Sequence, residues 1–195
     1  MADERIEDIS GGELTTPASN DLMVILDVSD TTDDADGTTK NITYKNLHAY
    51  GKIYVESNST ATTISGTQTD FGANAVQVAV FDTNGESNNT TPDHTNDHIT
   101  IDVTGEYIIS ATLSFSGEAN DTYSFAFFKN NKGTQLGTRS TRKIGSGGDV
   151  GSASLSTIAA LTATDTVEIW IQNEDGTTNF NCTVEDASFY VARVG

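Results

Sequence analysis

A chain of 195 residues with ten Lys and Arg against 28 Asp and Glu carries a formal charge of −18. Such a chain repels phosphate backbones and anionic bilayer surfaces, which disfavours nucleic-acid binding and membrane insertion. The single cysteine, Cys182, excludes an intrachain disulfide framework, and the acidic start "MADERIEDIS" has no apolar signal region, so the sequence reads as a soluble protein made in a cytoplasm.

A composition shift near residue 50 divides the chain into residues 1–50 and 51–195. The first part holds an apolar strand in "DLMVILDVSD", a polar loop "TTDDADGTTK" and a second strand in "NITYKNL". This strand–loop–strand unit is too small to be stable without something to pack on. Its acidic loop, Asp30–Gly37, has clustered oxygens, but with Gly37 as the turn glycine a calcium-loop template puts Thr43 where a bidentate Glu is required. A solvated connection between strands is the better reading.

Beyond residue 50 helical periodicity is nearly absent, and short alternating apolar runs are separated by Gly, Asn, Asp and Ser clusters. In chain order the expected strands are Ile53–Glu56, Ala61–Ile64, Ala75–Phe81, Ile99–Val103, Glu106–Ser116, Thr122–Lys129, Ser152–Leu161, Thr166–Gln172, Asn179–Val184 and Ala187–Val194. Turns are expected at "DTNG" (Asp82–Gly85), "NNKG" (Asn130–Gly133) and "NEDG" (Asn173–Gly176), because Asn and Gly tolerate left-handed backbone. "PDHTNDH" (92–98) reads as a loop; its His94 and His98 are four apart, a spacing that converges on a metal only when a helix carries it.

The most regular stretch is "ITIDVTGEYIISATLSFSG" (99–117). Tyr107, Ile109, Ala111, Leu113 and Phe115 share one face of a strand, and Ser110, Thr112, Ser114 and Ser116 share the other. Gly105 permits a tight reversal before Tyr107. Cys182 alternates with Phe180 and Val184, which places it as a buried strand thiol. About eight to ten strands in such a length suggest a jelly-roll sandwich.

No motif supports catalysis, a metal or a cofactor: there is no G-x-S-x-G, no H-E-x-x-H and no glycine-rich loop opening a helix. Interaction is better supported. Tyr123, Phe125 and Phe127 take one parity and Phe128 the other, so one strand is apolar on both faces and is expected to be covered by the core and by a neighbour. Tyr107, Phe125 and Phe128 are therefore candidates for a subunit contact. In "VEIWIQ", Trp170 falls on the face of Glu168 and Gln172, as either a scattered surface aromatic or an interface anchor. The basic run "RSTRK", with Arg139, Arg142 and Lys143, is either a solvated loop or a docking patch for an acidic neighbour or an anionic host glycan.

Several blocks taken together resemble the C1q/TNF-like jelly roll. Phe81-Asp82-Thr83-Asn84-Gly85 is similar to that family's aromatic D-x-x-G block, and Ile99 to Tyr107 resembles its F-x-V-P-x-x-G-x-Y corner, with Asp102 where the family has proline. "FFKNNKG", "SASLSTIAALTATDTVEIWI" and "ASFYVARV" resemble later strands, with Thr164 in place of a glycine. The resemblance implies a homotrimer with strand aromatics about a threefold axis. "LTTPASNDLMVILDVSDTTDDADGTTKNITYKNL" is similar in style to attachment segments of bacteriophage fibre and other virion proteins. Together these imply an all-β fold, a C1q/TNF-like jelly-roll knob (51–195) behind a small N-terminal β attachment segment (1–50). The implied role is that of a non-enzymatic virion protein decorating a capsid as a decoration protein or short head fibre. The alternative is a receptor-binding tail-fibre knob contacting a host surface glycan. The expected partners are further copies of the chain and capsid or tail proteins bound through residues 1–50.

Overall fold

The structure, a computed structural model, describes residues 22–27, 38–43, 47–146, 149–175 and 180–195. The chain divides into two units, Met1–Leu47 and His48–Gly195. In the first, β1 (Leu22–Asp27) pairs antiparallel with β2 (Thr38–Thr43), Leu22 opposite Thr43 and Asp27 opposite Thr38. The Asp30–Gly37 loop lies outside the described residues.

The second unit is built from strands alone among the described residues. They are β3 (Tyr50–Val55), β4 (Thr62–Ile64), β5 (Val76–Gln77), β6 (Thr83–Asn88), β7 (Thr90–Asp93), β8 (His98–Ile101), β9 (Gly105–Gly117), β10 (Thr122–Lys129), β11 (Thr134–Lys143), β12 (Val150–Leu161), β13 (Thr166–Asn173) and β14 (Phe180–Arg193). One sheet runs β11-β10-β13-β8-β7, with β5 beside β13. The other runs β12-β9-β14-β3-β6, with β4 beside β14. Sequence neighbours are repeatedly parted between the two sheets, as a jelly roll requires.

Alternation creates the core. Tyr123, Phe125 and Phe127 of β10, with Val167, Ile169 and Ile171 of β13, point inward from the first sheet. From the second come Tyr107, Ile109, Ala111, Leu113 and Phe115 of β9, Leu155 of β12, Ile53 of β3, and Phe189 and Val191 of β14. Phe115 meets Phe125 edge-on at 4.7 Å between centroids, and Phe127 lies 5.6 Å from Phe189. Such pairs add about 0.5–1.5 kcal/mol each beyond their buried area. Cys182 is fully buried, and burial pushes its thiol pKa up, so it behaves as a small apolar side chain.

The outward face of β10 and β13 is covered from within the chain. Residues 67–77 cross it, packing Phe71 and Ala75 on Ala126, Phe128 and Trp170. The backbone N–H of Phe71 donates to the buried Gln172 side-chain oxygen at 2.6 Å, and Val76 pairs with Ile171. The two apolar faces of β10 thus have two covers, the core and this strap. The neighbour expected from the sequence is a segment of the same chain.

Other expectations shift for physical reasons. "DTNG" belongs to strand β6, whose Thr83 and Asn84 pair with Tyr54 and Ile53, so neighbouring backbone overrides its turn residues. "NNKG" is a turn, with Asn130, Asn131 and Lys132 all at positive φ. β11 reads as a loop in sequence because it is an edge strand that buries little beyond Leu136. The two expected C-terminal strands are one, β14, interrupted by a bulge between Val184 and Asp186. The extra residue reverses the inside–outside phase and makes one strand look like two.

Gly105 is not at positive φ. Its missing side chain makes room for the C-terminus, since a Cβ there would collide with Arg193 Nε and stand 2.5 Å from the Gly195 carbonyl oxygen. That approach lets Glu106 N–H donate to Gly195 O at 3.0 Å and Val194 N–H to Glu106 O at 2.7 Å. Two residues on, the Tyr107 hydroxyl donates to Val103 O at 2.6 Å and closes the corner. Gly105→Ala should lower unfolding stability in urea by about 1–3 kcal/mol, the usual cost of overpacking. Amide exchange at Glu106 and Val194 should rise with it, while unchanged exchange at both would contradict this account of the glycine.

Candidate interaction face

The outward face of the second sheet is built differently from its counterpart. Register fixes its rows. Ile158 of β12 stands opposite Ile108 of β9, Ile108 opposite Ala192 of β14, and Ala192 opposite Tyr50 of β3. The next row is Ser156, Ser110, Tyr190 and Lys52, and the one after it is Ser154, Thr112, Ser188 and Tyr54. One end is therefore apolar and the other hydroxyl-rich. At the apolar end Ile158 is 64% exposed, and Tyr50 and Tyr190 are each 42% exposed. Large apolar groups aligned on one open face mark an interaction site rather than scattered surface residues.

At the hydroxyl end the same face sinks into a groove of about 440 Å³ between β3, β9, β12 and β14. The β14 bulge determines one wall. It sets Asp186 opposite Ser114, on the groove side, where unbroken alternation from Val184 would have placed Glu185. Ser57, at φ 58°, donates its N–H to Asp186 Oδ1 at 3.0 Å, and the Asn58 side chain donates to Val184 O at 2.8 Å. These bonds tie the bulge to the end of β3. Lys52 lies over the Tyr54 ring, 4.8 Å from its centroid.

The residues singled out in the sequence lie elsewhere. Tyr107 and Phe125 are fully buried in the chain's own core, and Phe128 is nearly so beneath the 67–77 strap. Trp170 is half-buried under that strap, its Nε1–H donating to Glu168 at 3.1 Å and its ring 4.8 Å below Lys132 Nζ. Tyr107, Phe125 and Phe128 are closed off within the chain, and Trp170 keeps part of its surface accessible. Arg139, Arg142 and Lys143 are exposed along β11, and each has a carboxylate partner: Glu174 at 3.2 Å, Asp149 at 3.3 Å and Asp175 at 4.0 Å. Arg139 also donates to Thr69 O. The basic run is a charge-paired edge strand, and the neutralising carboxylates, distant in sequence or beyond a turn, were invisible to a linear reading.

The residues of the apolar row carried a signal that alternation obscured. In "YIISATLSFSG" Ile108 has the parity of the hydroxyls, and in "SASLSTIAAL" Ile158 has the parity of Ser152, Ser154 and Ser156. Each looks like a stray substitution until the register sets them side by side.

The Asp93–His98 segment is the β7–β8 turn. Asp93 accepts the N–H groups of Thr95 and Asn96 and the Asn96 side-chain amide, and that last bond leads in holding its carboxyl below the usual value. Asp97, at φ 55°, accepts the N–H of Phe81 at 2.9 Å, which clamps the turn to the 78–81 segment. Among the described residues no three His, Cys, Asp or Glu side chains come together as metal ligands.

Burial pushes the Asp97 carboxyl up to about 6, from an ordinary value of 3.8, despite the Phe81 bond. The folded chain therefore holds that proton more tightly than the unfolded chain. The cost of the buried charge is absent below about pH 4 and complete above about pH 6, so this group lowers stability as pH rises between them. Asp97→Asn keeps the acceptor oxygen and should raise the thermal midpoint at pH 7.5 while leaving it near wild type at pH 4. Calorimetry across that range checks it, with Asp102→Asn at the exposed surface as the control for net charge. Equal shifts in the two variants would contradict the assignment.

No protein-family model matches the chain, and no curated protein matches it in sequence. Solved structures do. The chain is similar to Eiger TNF from S. frugiperda, with a TM-score of 0.51 and 14% identity over 75% of this chain and 94% of that one. It is similar to murine APRIL at pH 5.0, with a TM-score of 0.51 and 12% identity over 75% and 99%. The globular domain of zebrafish complement 1qA gives 0.48 and 14% over 75% and 98%. At such identities the likeness to the first two is one of fold alone: two antiparallel sheets joined as a TNF-like jelly roll.

Proposed function

We propose that the chain is a non-enzymatic structural knob that self-associates, as a homotrimer, on the surface of a bacteriophage virion. In this reading it decorates the capsid as a decoration protein or short head fibre, held there by residues 1–50. The observation that carries self-association is the aligned row Ile158, Ile108, Ala192 and Tyr50, with Tyr190 beside it, on a sheet face that no described residue covers. The apolar rows of further copies are the chemically matched cover, and burying them together removes apolar surface from water at about 25 cal/mol per Å². The virion assignment is supported by the style of the N-terminal segment. Its β1–β2 ribbon is of a size that is marginal alone in water and suited to pairing with another protein. A structural role agrees with the charge-paired and turn-capping duties of the ionisable groups described above.

A tail-fibre knob that contacts a host surface glycan is the second reading, favoured by the hydroxyl-lined groove. Electron microscopy of the particle separates head from tail.

Light scattering should give the intact chain three times its 20.7 kDa mass. Ile108→Asp with Ile158→Asp should give a folded monomer, because an unpaired charge at a buried contact costs roughly 3–5 kcal/mol. A monomeric wild type overturns the assembly, and a double variant that remains trimeric moves it to another face. Deleting residues 1–50 should leave the oligomer intact but unable to load onto particles lacking the protein. Normal loading would place attachment in the jelly roll.

A further inference from the structure

We propose that the groove at the hydroxyl end of the second sheet binds a neutral saccharide. Its volume, about 440 Å³, falls in the range of small-ligand sites. Thr112, Ser114, Ser152, Ser154 and Ser188 line it, and their hydroxyls make no hydrogen bond to any described residue. Each can donate once and accept twice, the complement of a sugar's own hydroxyls. They stand on three adjacent strands, β12, β9 and β14, at the spacing of a sheet, about 4.8 Å across strands and about 6.8 Å along one.

Asp186 adds a carboxylate acceptor. The bulge places it on the groove side and Ser57 N–H holds Oδ1, while Oδ2 has no partner among the described residues. A carboxylate held this way accepts two sugar hydroxyls more strongly than a neutral acceptor does. Tyr54, steadied by Lys52 over one ring face, supplies an aromatic wall. The charge balance selects among sugars. Asp186 and Glu56 both line the groove against the single Lys52, in a chain of −18, so acidic glycans are repelled. The exposed basic side chains of β11 each face a carboxylate within 4.0 Å.

This site rests on the proposed assembly only in one respect: copies are taken to meet through the apolar rows and not through the groove. Calorimetric titration of the full chain with maltoheptaose, cellohexaose and chitohexaose, and with 3′-sialyllactose as the acidic comparison, tests it. At least one neutral oligosaccharide should bind, and sialyllactose should not. Thr112→Val with Ser188→Ala, and separately Asp186→Asn, should each weaken binding at least tenfold while thermal midpoint and light-scattering mass stay at wild-type values. Arg142→Gln should leave binding unchanged. The proposal is overturned if none of the three neutral sugars binds, if groove variants bind as wild type does, or if Thr112→Val with Ser188→Ala dissociates the oligomer, which would make the groove part of the subunit contact. A wild-type monomer that binds and loses binding in the groove variants supports the site and removes the assembly reading alone.

Discussion

Two sheets packed face to face have four faces and only one shared core, and the rest of this fold follows from how the two outer faces are covered. The inner pair is closed by aromatic contacts in which Phe115 meets Phe125 and Phe127 meets Phe189. On the first sheet the outer face is apolar at Ala126, Phe128 and Trp170, and the chain lays residues 67–77 across it. The strap is held by specific bonds: Phe71 N–H to Gln172, Lys132 Nζ to Gly72 O, and β5 to β13. On the second sheet Ile158, Ile108, Ala192 and Tyr50 form an equally ordered apolar row with no such strap among the described residues. One outer face is completed in cis, and the apolar end of the other has no cover among the described residues.

β14 links that face to the groove beside it. It pairs with β9 on one side and with β3 and β4 on the other, so its register sets which residues share a row. Toward its C-terminal end unbroken alternation aligns Ala192 and Tyr190 with Ile108 and Ser110. Toward its start the bulge inserts one residue, keeps Cys182 and Val184 in the core, and rotates Asp186 outward. A single irregular residue thus divides one continuous face into an apolar end and a polar, carboxylate-bearing end. The Ser57–Asn58 turn stabilises the irregularity by bonding to Val184 O, Glu185 O and Asp186 Oδ1.

Much of this was legible in sequence wherever a strand is buried on one side only. Alternation gives the bounds of β9 and β12 to within two residues, the apolar runs of β10 and β13 give theirs, and the fold class follows from their order. Alternation carries no information about what lies across a sheet, and the failures have that origin. β11 covers little and so showed no pattern. β6 looked like a turn because its partner β3 lies about 30 residues away. The bulge split β14 into two apparent strands. The interface candidates drawn from sequence, Tyr107, Phe125, Phe128 and Trp170, were the largest aromatics on the most regular strands. Three of them are buried within the chain itself, and Trp170 is half-buried there. The exposed apolar row consists of residues that interrupt otherwise polar faces, and only the register gathers them.

Hydroxyl-radical footprinting of the native protein tests most directly whether the apolar end of the second sheet's outer face is where copies meet. Within one chain Ile158 is 64% exposed, Tyr50 and Tyr190 are 42% exposed, and Val150, at the far end of the same strand as Ile158, is 53% exposed. Closure by further copies predicts that Ile158, Tyr50 and Tyr190 are oxidised as slowly as the core residue Phe115, while Val150 reacts as an exposed side chain. Oxidation of all four at rates matching their exposure in the single chain would contradict it.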